Sequence, residues 1–429
     1  MILALDLGST SFKAAVYDDA LRELGSGAHP VPHDFLPGNR VELPVAVAET
    51  ACGAAIRLAL DSAGVAASSL RALALDSQAQ TFTVLDSAGR ARLPFLSWQD
   101  GRATAAAAVL NARPELADIA SHCSFSQFLP ALHIAMVRHV QDVPATRLAA
   151  TDRIVHLPTW FVLRLSGEAV IDDNLAAMSG LYSLQRGDWW AEALAAVGVT
   201  RAQLPRVVPI GAIAARTGAA AAAWGLPAGL PIVLAGNDQT AGGYGAEVAL
   251  RNAPLITLGT CQVAYVAGPH LRPAGEVTVR GPYPGGLSYC LVADSVGGSV
   301  VNWAKTAIAG AATDDAFFAL AAQAEPGCRG LLFEADLASS QGGWQRLGFH
   351  HQPAELARSV VEGLSRRLAA LIAALRLEPA PRQYLVAGGG SKAPLWRDVL
   401  SRELGAELVP IQANPLLGAA RMARAALAG

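Results

Sequence analysis

Two aspartates stand where apolar runs end. Asp6 lies in the run Ile2–Leu7 and is followed by Gly8-Ser9-Thr10-Ser11 and then Lys13. A carboxylate at a strand end, with a Gly-Ser-Thr turn after it, offers backbone N–H groups and hydroxyls to a phosphate. The same carboxylate can hold Mg²⁺ through water, because that ion prefers oxygen ligands and keeps much of its hydration. A plain β-turn, in which the aspartate bonds its own backbone, accounts for the same residues. Asp238 follows the apolar run Pro231–Ala235, within Gly236-Asn237-Asp238-Gln239-Thr240-Ala241-Gly242-Gly243. That places it at a strand's C-terminal end, entering a helix, where ligands of α/β sheets collect. An aspartate so placed can take the proton of an attacking hydroxyl in phosphoryl transfer. A helix N-cap, worth about 1 kcal/mol, is the plainer explanation.

Three further groupings carry polar or flexible chemistry. Leu385-Val-Ala-Gly388-Gly389-Gly390-Ser391-Lys392 sets three glycines after a strand. They either let a flat ligand approach the backbone or simply supply a strand-to-helix turn with positive φ. Leu258-Gly259-Thr260 is a minimal phosphate turn. In the first half, Asp76-Ser77-Gln78-Ala79-Gln80 and Trp98-Gln99-Asp100-Gly101-Arg102 combine amides, carboxylates, a guanidinium and an indole. That set suits a polyhydroxylated ligand with its C–H face on the indole, or an ordinary polar loop. No GxxxxGK[ST], GxGxxG, HExxH or GxSxG motif occurs. His350-His351 has no third ligand beside it and reads as loop decoration.

The elements that must position these residues read as alternating strands and helices. Strands are expected at Ile2–Leu7 and Phe12–Tyr17, as a hairpin, and at Ala72–Leu75, Thr81–Leu85, Ile232–Ala235, Leu255–Leu258 and Tyr384–Val386. Helices are expected over Ala46–Gly64, Ala103–Asn111, Leu356–Leu375 and Leu395–Leu404. The alternation predicts an α/β protein with mixed sheets. Leu255–Val263 repeats the strand–Gly–Ser/Thr–strand plan of Ile2–Val16, as a duplicated domain would. With 429 residues, two domains are expected, divided near Ala246 into 1–246 and 247–429.

Composition limits the partners. With 33 Lys+Arg against 35 Asp+Glu there is no basic excess for a nucleic-acid face. Hydrophobic residues at 52% exclude a disordered chain. The five cysteines are odd in number and scattered without a CxxC, which argues against zinc and for a reducing compartment. The N-terminus has no basic leader pattern, and Arg216 with several Gly and Pro interrupts the most apolar stretch. A soluble, cytoplasmic protein with no membrane partner is the expectation.

Taken together and in order, DLGST, WQDGR, GNDQTAG, LGT and AGGGSKAPLWRDVL resemble the FGGY carbohydrate kinases of the actin/hexokinase/Hsp70 superfamily, essentially end to end. The resemblance implies two RNase H-like (actin-like ATPase) domains, mixed sheets flanked by helices, with an interdomain cleft. Sugar would lie on the first domain and ATP–Mg²⁺ on the second, with the γ-phosphoryl group passing to a sugar or polyol hydroxyl. It gives Asp238 the role of catalytic base, with Gln239 a substrate contact. Asp6 becomes the magnesium-linked carboxylate, with Gly8, Ser9, Thr10 and Lys13 along the phosphates. Gly259 and Thr260 match the second phosphate turn, Gly388, Gly389, Gly390 and Ser391 the adenosine site, and Gly298 with Asn302 and Trp303 a helix start lining the nucleotide pocket. Gln78, Gln80, Trp98, Asp100 and Arg102 match sugar-side positions. A homodimer is in keeping with the family.

The chain departs from its relatives where substrate is read. Xylulokinases typically carry Gln-Met-His at the place of Gln78-Ala79-Gln80, and glycerol kinases Arg-Glu nearby. The GERxPH-type segment is replaced by Ala335–Trp344. A xylulokinase-like pentulose kinase acting on D-xylulose or D-ribulose is the leading expectation. Behind it stand a glycerol or polyol kinase, a nucleotide-binding regulatory protein that has lost transfer, and a chaperone-like ATPase. Intact Asp6 and Asp238 weigh against the regulatory reading, and the polar sugar-side cluster weighs against the chaperone-like one.

Overall fold

The computed structural model describes residues 1–269, 275, 278–310, 313–336 and 341–428. Contacts divide the chain into two compact units. The first comprises Met1–Gly245, Gly268–Tyr289 and Asn414–Gly429, and the second Ala246–Ala267 and Cys290–Ala413. The stretch after 246, expected as one domain, is thus divided, with 268–289 and the C-terminal stretch belonging to the first unit.

In the first unit the opening strand Ile2–Leu7 is buried throughout, because both its faces are covered, as in the middle of a mixed sheet. Leu3, Leu5 and Leu7 share one core with Phe12, Leu73, Leu75 and Leu234. Ile2 and Ala4 share another with Ala72, Ala74, Val233 and Ala235. The strand pairs antiparallel with Ser11–Tyr17 and parallel with Ala72–Ser77. Ala72–Ser77 in turn pairs parallel with Pro231–Asn237. Ile213–Arg216 and Glu23–Pro30 close the two edges.

The leucine face is covered by the helix Val45–Ala63, whose buried Ala48, Ala51, Cys52, Ala55, Ile56 and Ala59 recur at helical spacing. That helix stops at Gly64, which takes the left-handed conformation an L side chain resists. The alanine face is covered by the C-terminal helix Pro415–Ala428, through Leu416, Ala419, Ala420, Met422 and Ala423. Small residues on both sides let the elements approach closely. A Cβ on Gly418 would lie 1.8 Å from the carbonyl oxygen of Ala241, so this helix and the helix Asp238–Gly245 meet backbone to backbone. The segment 268–289 is held in part by Arg280, which donates to the carbonyl of Ala120 at 2.5 Å. A separate core around Phe82, Phe128, Ile134, Trp189 and Trp190 fills the insertion between the Ala72–Ser77 and Pro231–Asn237 strands.

The second unit repeats the local plan of the first. Leu255–Leu258 and Gln262–Gly268 form an antiparallel hairpin, and Gln383–Ala387 pairs parallel with the first of them. Glu407–Pro410 follows in parallel beyond it. The echo between Ile2–Val16 and Leu255–Val263 is therefore structural. Helices Pro353–Ala373 and Pro394–Leu404 pack on this sheet over Ile256, Leu258, Leu364, Leu368, Val386 and Leu400.

Candidate active site

In the first unit four neighbouring strand ends bring their charged residues into one row. Asp6 stands opposite Lys13 in the antiparallel register and opposite Asp76 in the parallel one. Asp238 follows Asn237, which pairs with Ser77. Across the sheet the order is thus Asp238, Asp76, Asp6, Lys13. The Lys13 Nζ is 3.6 Å from the Asp6 Oδ2. Asp6 and Asp76 are buried, whereas Asp238 and Gln239 are half-buried and reach solvent.

Burial raises the Asp6 carboxyl above its ordinary range, against the pull of the Lys13 ammonium. Asp76 is driven well above that range by burial and then by the Asp6 and Asp238 charges. Burial and Asp6 push Asp238 up to about 6, and hydrogen bonds from Gln239 oppose the shift. A carboxylate poised there is ionised at neutral pH yet basic enough to accept a proton.

Asp238 is held by the turn before it. Gly236 has φ +73°, and a Cβ there would lie 2.8 Å from the Asn174 Oδ1. That same oxygen accepts from the Asn237 backbone N at 3.0 Å and from its Nδ2 at 2.8 Å. Asn174 donates in turn to Thr240 Oγ1 at 3.1 Å and to the Pro282 carbonyl at 2.8 Å. Asn237 Oδ1 caps the helix by accepting from Thr240 N at 2.9 Å. The cap belongs to Asn237, which leaves Asp238 available for chemistry. Its Oδ1 accepts only locally, from Gln239 N at 2.8 Å. Asn174 carried no signal in the sequence, because it lies far from the turn it supports.

The sugar-side expectations divide. Gln78 Nε2 donates to the Gly8 carbonyl at 3.3 Å, which ties it to the turn after Asp6. Gln80 takes φ +58° and donates to Met178 O at 3.4 Å. Trp98 exposes 41% of its surface, a platform that a C–H face could use. Asp100 and Arg102 turn inward instead. Asp100 is buried, accepts from Val41 N at 2.7 Å and pairs with Arg102 at 2.6 Å. Arg102 also pairs with Glu42 at 2.7 Å. This pair fixes the loop that carries Trp98.

The second unit holds a cavity of about 430 Å³ lined by Gly259, Thr260, Gly298, Asn302, Gly389 and Gly390, with Trp396 and Phe318 among its walls. The glycines there serve different ends. A Cβ on Gly298 would lie 2.6 Å from the Gly259 carbonyl, whose oxygen accepts from Gly298 N at 2.8 Å. Gly388, at φ +90°, does not line the cavity and instead lets the turn approach the Leu258 carbonyl. Ser391 also departs from expectation: its hydroxyl donates to Gly388 O at 2.7 Å and closes the turn. Trp303 stacks toward Phe333 and Trp344 and is not among the lining residues. Asp314, Asp315 and Phe318 join the lining from a helix that no motif marked.

The donor set around Asp6 suits magnesium. Its ligand atoms are oxygens, and the Asp6 carboxylate has the Lys13 ammonium and the Asp76 carboxyl as its hydrogen-bonding neighbours. Among the described residues no group of three or more His, Cys, Asp and Glu has the spacing of a metal centre. A magnesium ion there would have Asp6 as its protein ligand and keep much of its water. None of the five cysteines is in a disulfide, and no helix among the described residues is long and apolar enough to cross a membrane.

The sequence profile of the FGGY family of carbohydrate kinases, N-terminal domain, matches residues 1–245. The chain belongs to this family. Its members are ATP-dependent phosphotransferases, and the fold is the two-domain actin-like ATPase fold. The chain is 27% identical over 382 residues to the xylulose kinase of Escherichia coli K12, covering 83% of this chain and 76% of that one. It is 28% identical over 450 aligned positions to the glycerol kinase of Aromatoleum aromaticum, covering 100% of this chain and 89% of the other. Among solved structures, the ligand-bound xylulose kinase from Lactobacillus acidophilus superposes with a TM-score of 0.91 at 20% identity, over 100% of this chain and 89% of that one. The replaced segment Ala335–Trp344 lies partly outside the described residues.

Proposed function

We propose that this FGGY kinase phosphorylates a hydroxyl of a ketose, D-xylulose or D-ribulose foremost, by in-line transfer from ATP with Asp238 as general base. The observation that carries the reading is a half-buried Asp238 whose carboxyl is pushed up to about 6 and whose backbone is fixed by Asn174 and Asn237. The first unit then carries the acceptor. Trp98 takes the sugar's C–H face, and Gln78, Gln80 and Gln239 serve its hydroxyls. Asp238 orients the attacking hydroxyl and removes its proton as the new O–P bond forms. The second unit takes the adenosine in the cavity beside Gly389 and Gly390, with Gly259 and Thr260 toward the phosphates. Asp6 faces the metal, and Gly8, Ser9, Thr10 and Lys13 face the phosphates. Magnesium, bound with ATP, supplies neutralisation of charge on the β- and γ-phosphates.

The choice of sugar rests on relatives named as xylulose kinases, and a relative named as a glycerol kinase that spans the whole chain keeps polyols in view. The test is ADP release from Mg–ATP against ketopentoses, ketohexoses, sedoheptulose, glycerol and pentitols. A strong response to a ketopentose is expected. A response confined to glycerol or a pentitol would move the substrate to the polyols, and silence across the panel would overturn the reading.

A further inference from the structure

Residues 174–183 are buried at every position but one, Met178, which is half-buried. Met178 closes the short helix Asp173–Ala177. Its carbonyl oxygen accepts from Gln80 Nε2 at 3.4 Å, and its Sδ accepts from Asn237 Nδ2 at 3.3 Å. One residue thus touches both Gln80, a sugar-side position, and the residue that precedes Asp238. Gln80, Asp238 and Gln239 are half-buried too, each within a stretch that is otherwise buried. Met178 therefore reaches solvent at the same place as the groups that would hold the acceptor.

A thioether donates no hydrogen bond and accepts only weakly. Asn237 draws its main support elsewhere: its Nδ2 donates to Asn174 Oδ1 at 2.8 Å, and its Oδ1 accepts from Thr240 N at 2.9 Å. What Met178 brings to this place is volume and a flexible apolar surface. Its neighbours Gln80, Asp238 and Gln239 all bond hydroxyls, so the thioether is the apolar part of that group. Because its carbonyl meets Gln80 and its sulfur meets Asn237, its side chain occupies the space between a sugar-side amide and the turn of the base.

We infer that Met178 is a specificity-determining residue: its thioether is an apolar wall between Gln80 and Asp238 that limits the size of the acceptor whose hydroxyl reaches the base. The inference rests on the reading of Asp238 as the base and Gln80 as a sugar contact, and adds to it what excludes larger acceptors.

The test compares kcat/KM, by ADP release from Mg–ATP, for the preferred acceptor of the panel and for one a single carbon longer. Wild type, Met178→Ala and Met178→Leu are measured side by side. Met178→Ala should raise the ratio of longer to preferred acceptor at least about tenfold, the lower end of what one methylene is worth in a pocket, and chiefly through KM. Met178→Leu keeps the volume and drops the sulfur, so it should hold the wild-type ratio. Met178→Val gives the same reading with a smaller rise if the alanine variant does not fold. A ratio that stays or falls in a folded alanine or valine variant would overturn the inference. An equal loss on every acceptor in the alanine and leucine variants would overturn it too, and leave Met178 as a support of Asn237. Asp238→Asn keeps the two readings apart: if it abolishes wild-type turnover of the preferred acceptor, the base stands whatever Met178 does. Wild-type silence across the panel would take both down.

Discussion

Asp238 and Asp6 are both strand-end carboxylates, and their surroundings give them different work. Asp238 reaches solvent and has its acidity tuned to about 6, whereas Asp6 is buried against Lys13. Asp238→Asn keeps the turn and its hydrogen bonds but removes the base. Turnover should fall by about 10²–10⁴-fold with little change in ATP affinity, measured by steady-state ADP release and nucleotide titration. Near-normal turnover would remove Asp238 from the role. Because the base must be ionised, wild-type kcat/KM should decline as pH falls through about 6. A second residue-scale feature lies in the insertion core. The buried rings of His133 and His156 lie with centroids 4.0 Å apart, tilted 45° to each other, and none of their nitrogens has a hydrogen-bond partner. Burial pushes His156 down to about 3 and His133 well below its ordinary value. The unfolded chain takes up these protons near pH 6.5 and the folded one does not. Stability is therefore lost as pH falls below about 6.5, by up to about 1.4 kcal/mol per pH unit for each ring. The carboxyls of buried Asp172 and half-buried Asp173, raised to about 7 and about 6, contribute the opposite slope. The clean measurement is thus a difference: on going from pH 6.5 to 4.5, His156→Leu should lose less melting temperature than wild type, or gain more. Equal slopes would contradict it.

At the scale of elements, the turn after Gln383–Ala387 shows that adjacent glycines answer to different constraints. A Cβ on Gly389 would meet nothing within 4 Å, while one on Gly390 would lie 2.6 Å from the buried Trp396 ring. Gly390→Ala should displace Trp396, cost about 1–3 kcal/mol in stability and weaken ATP binding together. Gly389→Ala should leave the melting temperature in place and raise the KM for ATP, because the added methyl enters the cavity. Calorimetry with ATP kinetics on both variants decides the matter; a Gly389→Ala enzyme with unaltered ATP kinetics would place the nucleotide elsewhere. The sequence marked this turn but could not tell its glycines apart, since their neighbours, Leu258 and Trp396, arrive from another strand and from the following helix.

At the scale of the molecule, the C-terminal helix is a structural part of the first unit although it is the last element of the chain. Leu416 and Met422 are buried against the alanine face of the sheet, each worth roughly 1.5–3 kcal/mol. Those two side chains alone approach the net stability of a domain. Removing residues 415–429 should lower the melting temperature sharply and open residues 1–245 to limited proteolysis, read by mass spectrometry. A truncated chain that melts like the full one would show that the face needs no cover.

What was legible in the sequence was local. An apolar run burying both faces reads as a central strand, so Ile2–Leu7, Leu255–Leu258 and Pro231–Asn237 were found within a residue or two, along with the positions of Asp6 and Asp238 at strand ends. The family followed from motifs that are each short and contiguous. Tertiary structure alone decided what depends on pairing between distant segments. Parallel register set Asp76 beside Asp6, and one amide, Asn174, was spent on holding the turn of Asp238. The same long-range contacts turned Asp100, Arg102 and Ser391 inward and returned residues 268–289 and 414–429 to the first unit. A side chain's type and spacing state what it can do; which partners reach it is fixed only when strands far apart in the chain come into register.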